Sequence, residues 1–122
     1  AFVTATAALR HFWSTDAFHR DIERRSQLLE SRLLRIAAEH GFEVRGRGMM
    51  RGINLGSGEL AASVTAACFD AGLIIETSGA RDEVVKVLAP LVIDDAVLGI
   101  GLDILEAKIR EATDNNYAVA AE

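Results

Sequence analysis

The sequence predicts an α+β fold, a small two-layer sandwich whose mainly antiparallel sheet of about four strands is covered by helices. Three observations carry that expectation. Apolar residues recur at three- and four-residue spacing through the stretches 16–40, 57–71 and 95–109, the period of a buried helix face. Leu73 to Thr77 and Val84 to Leu88 are short runs rich in Leu, Ile and Val, joined by the polar turn Ser78–Glu83. Glycines punctuate the pattern at Gly41 and Gly72, where helices would stop.

The totals bound the answer. A chain of 122 residues, half of them hydrophobic, is one domain with enough apolar surface for a core. The net charge of −5 argues against a nucleic-acid surface, which needs clustered positive charge. Cys68 is the single cysteine, so there is no disulfide framework and a reducing, cytoplasmic setting is expected. No apolar run reaches the ~18 residues of a membrane span, and no leader pattern is visible.

The first element is a helix over Ala1 to Trp13, apolar nearly all round and without a cap. A helix of that kind is normally buried among neighbours, and few are available here. Together with the missing initiator Met, this predicts a piece of a larger protein; a trimmed small protein is the other reading. Ser14, Thr15 and Asp16 offer caps for a long second helix. Phe18, Ile22, Leu29, Leu33, Ile36 and Ala37 form its buried stripe, and Asp21 can pair with Arg25 one turn on. Phe42–Arg45 and Met49–Leu55 read as two adjacent antiparallel strands, or as one strand with a glycine bulge at Gly46-Arg47-Gly48.

Ser57 caps a third helix, Glu59 to Ala71, with Leu60, Val64, Ala67, Cys68 and Ala71 on its apolar side. The two strands of the 73–88 hairpin follow, and Pro90 ends the ladder because it cannot donate to it. Asp94 or Asp95 caps a last helix with Val97, Leu98, Leu102, Leu105 and Ile109 inward. Gly99 and Gly101 within it each cost about 1 kcal/mol against Ala. From Thr113 the pattern lapses, and residues 113–122 are expected to be a flexible tail.

Composition and spacing point to little chemistry. His11, His19 and His40 fit no metal motif. Cys68 reads as a small buried hydrophobe, and Asp94-Asp95 as helix caps. The oddest local choice is Lys86, a cation in mid-strand whose face also carries Val84 and Leu88.

A resemblance adds to this. Val44-Arg45-Gly46-Arg47-Gly48-Met49-Met50-Arg51-Gly52-Ile53 and Ala71-Gly72-Leu73-Ile74-Ile75-Glu76-Thr77-Ser78-Gly79 carry it. So do Val85-Lys86-Val87-Leu88-Ala89-Pro90-Leu91 and Gly101-Leu102-Asp103-Ile104-Leu105. Together they resemble the C-terminal small domain of the class III pyridoxal-phosphate aminotransferases, and within them the diaminobutyrate branch.

The resemblance implies a homo-oligomeric enzyme that moves an amino group between an amino acid and a 2-oxo acid. Residues 1–112 would be its small domain, with 1–13 as the linking helix. Pyridoxal phosphate would sit in a large domain, whose anchoring lysine, pyridine-facing aspartate and phosphate loop precede Ala1. Neither Lys86 nor Lys108 matches the anchoring position. The resemblance therefore assigns no catalytic, cofactor-binding or metal-binding residue to this chain, and the chain alone should be inactive and bind no cofactor. Many members of the class hold an arginine where Lys86 stands, and it grips the substrate carboxylate. Lysine offers a point charge instead of a bidentate fork. Lys86, with Thr77 and Ser78 nearby, is thus the candidate substrate-binding set; the alternatives are a strand lysine reaching to solvent and ordinary turn residues. No nucleic acid or membrane is implied. A stand-alone α+β module that binds a ligand or partner without catalysis remains the alternative function.

Overall fold

The computed structural model describes residues 1–120, with side chains placed through residue 115. Four helices and four strands follow one another in the order α1 (Phe2–Phe12), α2 (Ala17–His40), β1 (Glu43–Arg47), β2 (Met50–Asn54), α3 (Gly58–Asp70), β3 (Glu76–Ser78), β4 (Val84–Leu88) and α4 (Asp95–Ala120). The strands form one antiparallel sheet in the order β1-β2-β4-β3. This is the α+β sandwich that the residue patterns predict.

The pleat sorts the sheet into two faces. Val44, Ile53 and Val85 turn toward the helices, and Ile53 and Val85 are fully buried there. α2 lies on the β1–β2 half, α3 on the β3–β4 half, and α4 packs along both helices. Leu29, Leu33, Ile36, Val64, Cys68, Leu102, Leu105 and Ile109 fill the space between, each with almost no exposed surface. Fully burying a side chain of this size contributes roughly 1.5–3 kcal/mol, so this layer dominates the stability of the fold. The opposite face carries Arg45, Gly52, Lys86 and Glu76 in one row across the four strands, and among the described residues no helix lies over it.

Local chemistry sets the element ends. The Ser57 hydroxyl accepts the Leu60 N–H at 3.3 Å and starts α3. Asp94 Oδ1 accepts the Ala96 N–H at 2.8 Å and starts α4. Gly41 ends α2 in the left-handed region at φ 72°. Of the two readings of residues 43–55, the hairpin is the one observed. Its two-residue loop, Gly48-Met49, has Gly48 at φ 58° in the first position, as a turn matched to strand twist requires.

Four expectations change. The strand expected over Leu73–Thr77 is paired only at Glu76–Ser78; residues 73–75 run unpaired beside α4, so hydrophobicity there serves packing and not a ladder. Val97 is exposed one step off the buried stripe of α4, and Ala71 is exposed because α3 ends at Asp70 and leaves it as the C-terminal cap. Asp16 precedes α2 without a side-chain cap bond, and the Thr15 hydroxyl instead accepts the Ala17 N–H. α4 continues through the expected tail to Ala120; Thr113 is buried and its hydroxyl donates to the Ile109 carbonyl at 2.9 Å, close to His40 Nδ1 at 3.3 Å. Residues 121–122 lie outside the described residues.

α1 buries none of its residues. Phe2 is 90% exposed and Val3 84%, although Phe12 and Trp13 stack on Phe18 at the start of α2.

Candidate functional site

Lys86 stands at the centre of β4, directly opposite Gly52 on β2 and Glu76 on β3. Gly52 has to be small: a Cβ there would lie 2.6 Å from the Val84 side chain and 2.7 Å from the Val85 carbonyl. Position 52 therefore places no side chain opposite Lys86 on β2. On its outer flank Lys86 Nζ meets Glu76 Oε2 at 2.9 Å. The lysine side chain is 29% exposed and the glutamate 71%, so the stem packs while both heads reach water. The Lys86 hydrogen bond, and then its charge, hold the Glu76 carboxyl below the usual glutamate range.

Both residues border a cleft of about 400 Å³ between α4 and the strand ends. Its walls are apolar: Leu73, Ile75, Val87, Ala89, Ile93 and Leu98. A mostly apolar cleft with a few convergent polar groups is the usual form of a small-molecule site. Here the polar element is one ion pair at its border.

The other two candidate residues separate. Ser78 pairs with Val84 and shares the Lys86 face, two residues along the strand from Glu76. Thr77 pairs with Val85, the fully buried valine of the helix-covered face. The pleat thus places Lys86, Glu76 and Ser78 together and turns Thr77 away. Glu76 belongs in the set more firmly than Thr77 does. Its signal in the sequence was the cross-strand register, which depends on the length of the 78–83 turn.

That turn holds a carboxylate that sequence reasoning missed. Glu83 is 6% exposed, and its Oε2 accepts the Arg81 N–H at 2.8 Å. Bonds from the backbone N–H groups of Glu83 and Arg81, helped by the charges of Arg81 and Arg45, lower its pKa from the ordinary 4.5. Gly79 lies over this carboxylate at φ 100°, where a Cβ would come within 2.7 Å of an Oε atom. Glu83 thus shapes the turn that sets the β3–β4 register, and so places Glu76 opposite Lys86.

Lys108 is tied to Glu111 at 2.9 Å on α4, and Lys86 to Glu76. The starts of α3 and α4 are occupied by Ser57 and Asp94. Among the described residues there is no cluster of His, Cys, Asp and Glu able to hold a metal. No described helix is long and apolar enough to cross a membrane.

Comparison with known proteins supplies the family. Residues 1–109 match the model of the aminotransferase class-III family. The chain is 52% identical over 117 residues to a diaminobutyrate–2-oxoglutarate transaminase of Halomonas elongata, and 46% identical over 117 residues to one of Oceanobacillus iheyensis. These alignments take in 92% and 93% of this chain but 28% and 27% of those relatives, so the chain spans little more than a quarter of their length. Among solved structures, an N-acetylornithine aminotransferase from Stenotrophomonas maltophilia superposes with a TM-score of 0.73 at 30% identity, over 97% of this chain and 31% of that one. By the family match, by these relatives and by a shared fold, the chain belongs to the class-III aminotransferases.

Proposed function

We propose that this chain is the small domain of a longer pyridoxal-phosphate transaminase that moves the 4-amino group of L-2,4-diaminobutyrate to 2-oxoglutarate. The products are L-aspartate 4-semialdehyde and L-glutamate, and the reaction serves ectoine biosynthesis in the cytoplasm. The observation that carries the reading is identity of 52% and 46% to relatives named for this reaction, over nearly the whole chain. The cofactor, bound by the remainder of the protein, supplies the electron sink for amino-group transfer. This chain supplies a wall of the cleft and Lys86 at its border. The Lys86 ammonium binds a substrate carboxylate, with Ser78 beside it on the same face. The sheet face free of helices meets the large domain, and the enzyme is a homo-oligomer.

The test is a donor panel on the whole protein loaded with pyridoxal phosphate. With 2-oxoglutarate as acceptor, kcat/KM for L-2,4-diaminobutyrate should exceed that for N-acetylornithine by at least about tenfold, a difference of ~1.4 kcal/mol in transition-state stabilisation. Equal or reversed preference would overturn the substrate assignment while leaving the family in place.

A further inference from the structure

We propose that Glu76 is a specificity-determining residue that receives the α-ammonium of the amino donor while Lys86 receives its α-carboxylate. The inference rests on the substrate reading above and names the residue that selects the donor. The two heads are 2.9 Å apart on residues paired in register across β3 and β4, and both residues are among those that line the apolar cleft, their side chains rising from the helix-free face.

The charge arithmetic favours a zwitterion. A carboxylate that approaches Lys86 also approaches Glu76, and like charges at that range repel. A ligand with only a carboxylate has to bear that repulsion. A ligand with an ammonium and a carboxylate on one carbon cancels it, because each of its charges finds an opposite one. L-2,4-Diaminobutyrate has such an end, two carbons from the amino group that is transferred. Its α-ammonium takes no part in the transfer, so it is free to be recognised.

The surroundings leave room for this contact. Glu76 is 71% exposed and β3 is an edge strand, so nothing within this chain's described residues covers its outer side. Gly52 places no side chain opposite Lys86 on β2, so none from that position competes for the ammonium. Glu76 is ionised at neutral pH as any exposed glutamate is, and the Lys86 hydrogen bond and charge lower its pKa further. Residues 73–75, off the ladder, line the cleft next to Glu76 in the chain.

The experiment compares two donors in the whole transaminase. One is L-2,4-diaminobutyrate; the other is 4-aminobutyrate, which keeps the carboxylate and the reacting amine but lacks the α-ammonium. In Glu76→Gln, KM for diaminobutyrate should rise about tenfold, as for loss of one charge-assisted hydrogen bond. Its kcat should stay within about twofold, and KM for 4-aminobutyrate should be unchanged or lower. Glu76→Asp should recover part of the preference, and melting temperatures of both variants should match wild type. A purely structural Glu76 would move both donors together. Equal KM changes for the two donors, or no change for either, would overturn the inference and leave the substrate assignment standing. A wild-type enzyme with no preference between the two donors would overturn both.

Discussion

At the scale of single residues, the turn that places Glu76 opposite Lys86 depends on Glu83. Glu83 folds its carboxylate under the turn at Gly79, and backbone N–H groups hold its pKa below the ordinary 4.5. A carboxyl depressed in the fold stabilises it at pH above the unfolded value and loses that contribution as pH falls through the folded value. Glu83→Gln should therefore melt below the parent chain at pH 7. The gap should close as pH falls through the ordinary glutamate value and then the lowered folded one, followed by thermal scans. A gap that is constant with pH would show that the carboxylate charge is irrelevant. Gly79→Ala should destabilise by about 1–3 kcal/mol, because it adds both a Cβ at positive φ and a clash with that carboxylate. Urea unfolding measures it, and a loss under ~0.5 kcal/mol, the size of an ordinary surface change, would contradict the geometry. Lys86 was legible in the sequence as a cation among valines. Glu83 was not, since a glutamate in a polar turn looks solvated until the backbone is seen to fold over it.

At the scale of elements, the helices were read more faithfully than the strands. The stripe Leu29, Leu33, Ile36 and Ala37 is buried as its spacing requires, and Leu33→Ala should cost about 2–5 kcal/mol in urea unfolding. The run Leu73–Ile75 misled because a short apolar run is equally at home in a strand or against a helix. α4 was cut short at Thr113 because a polar residue masked a buried position, where its hydroxyl bonds back along the helix. Charge pairing between helices also escaped sequence reading. Asp21 pairs with Arg25 as the spacing allows, but Asp95 of α4 also binds Arg24 of α2. Further along the seam Glu106 accepts from Arg32 and Arg35. Burial pushes the Glu106 carboxyl up, and the bonds and charges of Arg35 and Arg32 outweigh it and hold it low. α1 is the opposite case, an apolar helix that buries nothing. The separate chain should associate at micromolar concentration through Phe2, Val3 and Leu9, since exposed apolar patches favour self-contact. Sedimentation velocity should show species larger than a monomer, diminished by Leu9→Ser. A strict monomer with α1 amides as slow to exchange as those of α2 would contradict this.

At the scale of the whole molecule, the proposed reading makes this chain a scaffold with one charged wall and assigns the reaction to the length that its relatives carry beyond the matched quarter. The division predicts a separation of effects. Substitution at Lys86 should change substrate handling and leave cofactor binding and thermal stability nearly intact, because Lys86 sits on an open sheet face outside the buried core. A charge-assisted hydrogen bond is worth about 1.5–3 kcal/mol, which corresponds to roughly ten- to hundredfold in rate. Lys86→Arg should retain part of the activity if charge is the main requirement, although a planar fork presents it differently. The most direct measurement is kcat/KM of Lys86→Ala in the whole transaminase, for 2-oxoglutarate and for L-2,4-diaminobutyrate. A fall of about ten- to hundredfold for a carboxylate substrate, with cofactor content and melting temperature unchanged, is the predicted result. If kcat/KM for both substrates stays within about twofold of wild type, close to the scatter of a neutral surface change, Lys86 is an ordinary strand lysine and the proposed role of this domain at the active site is wrong.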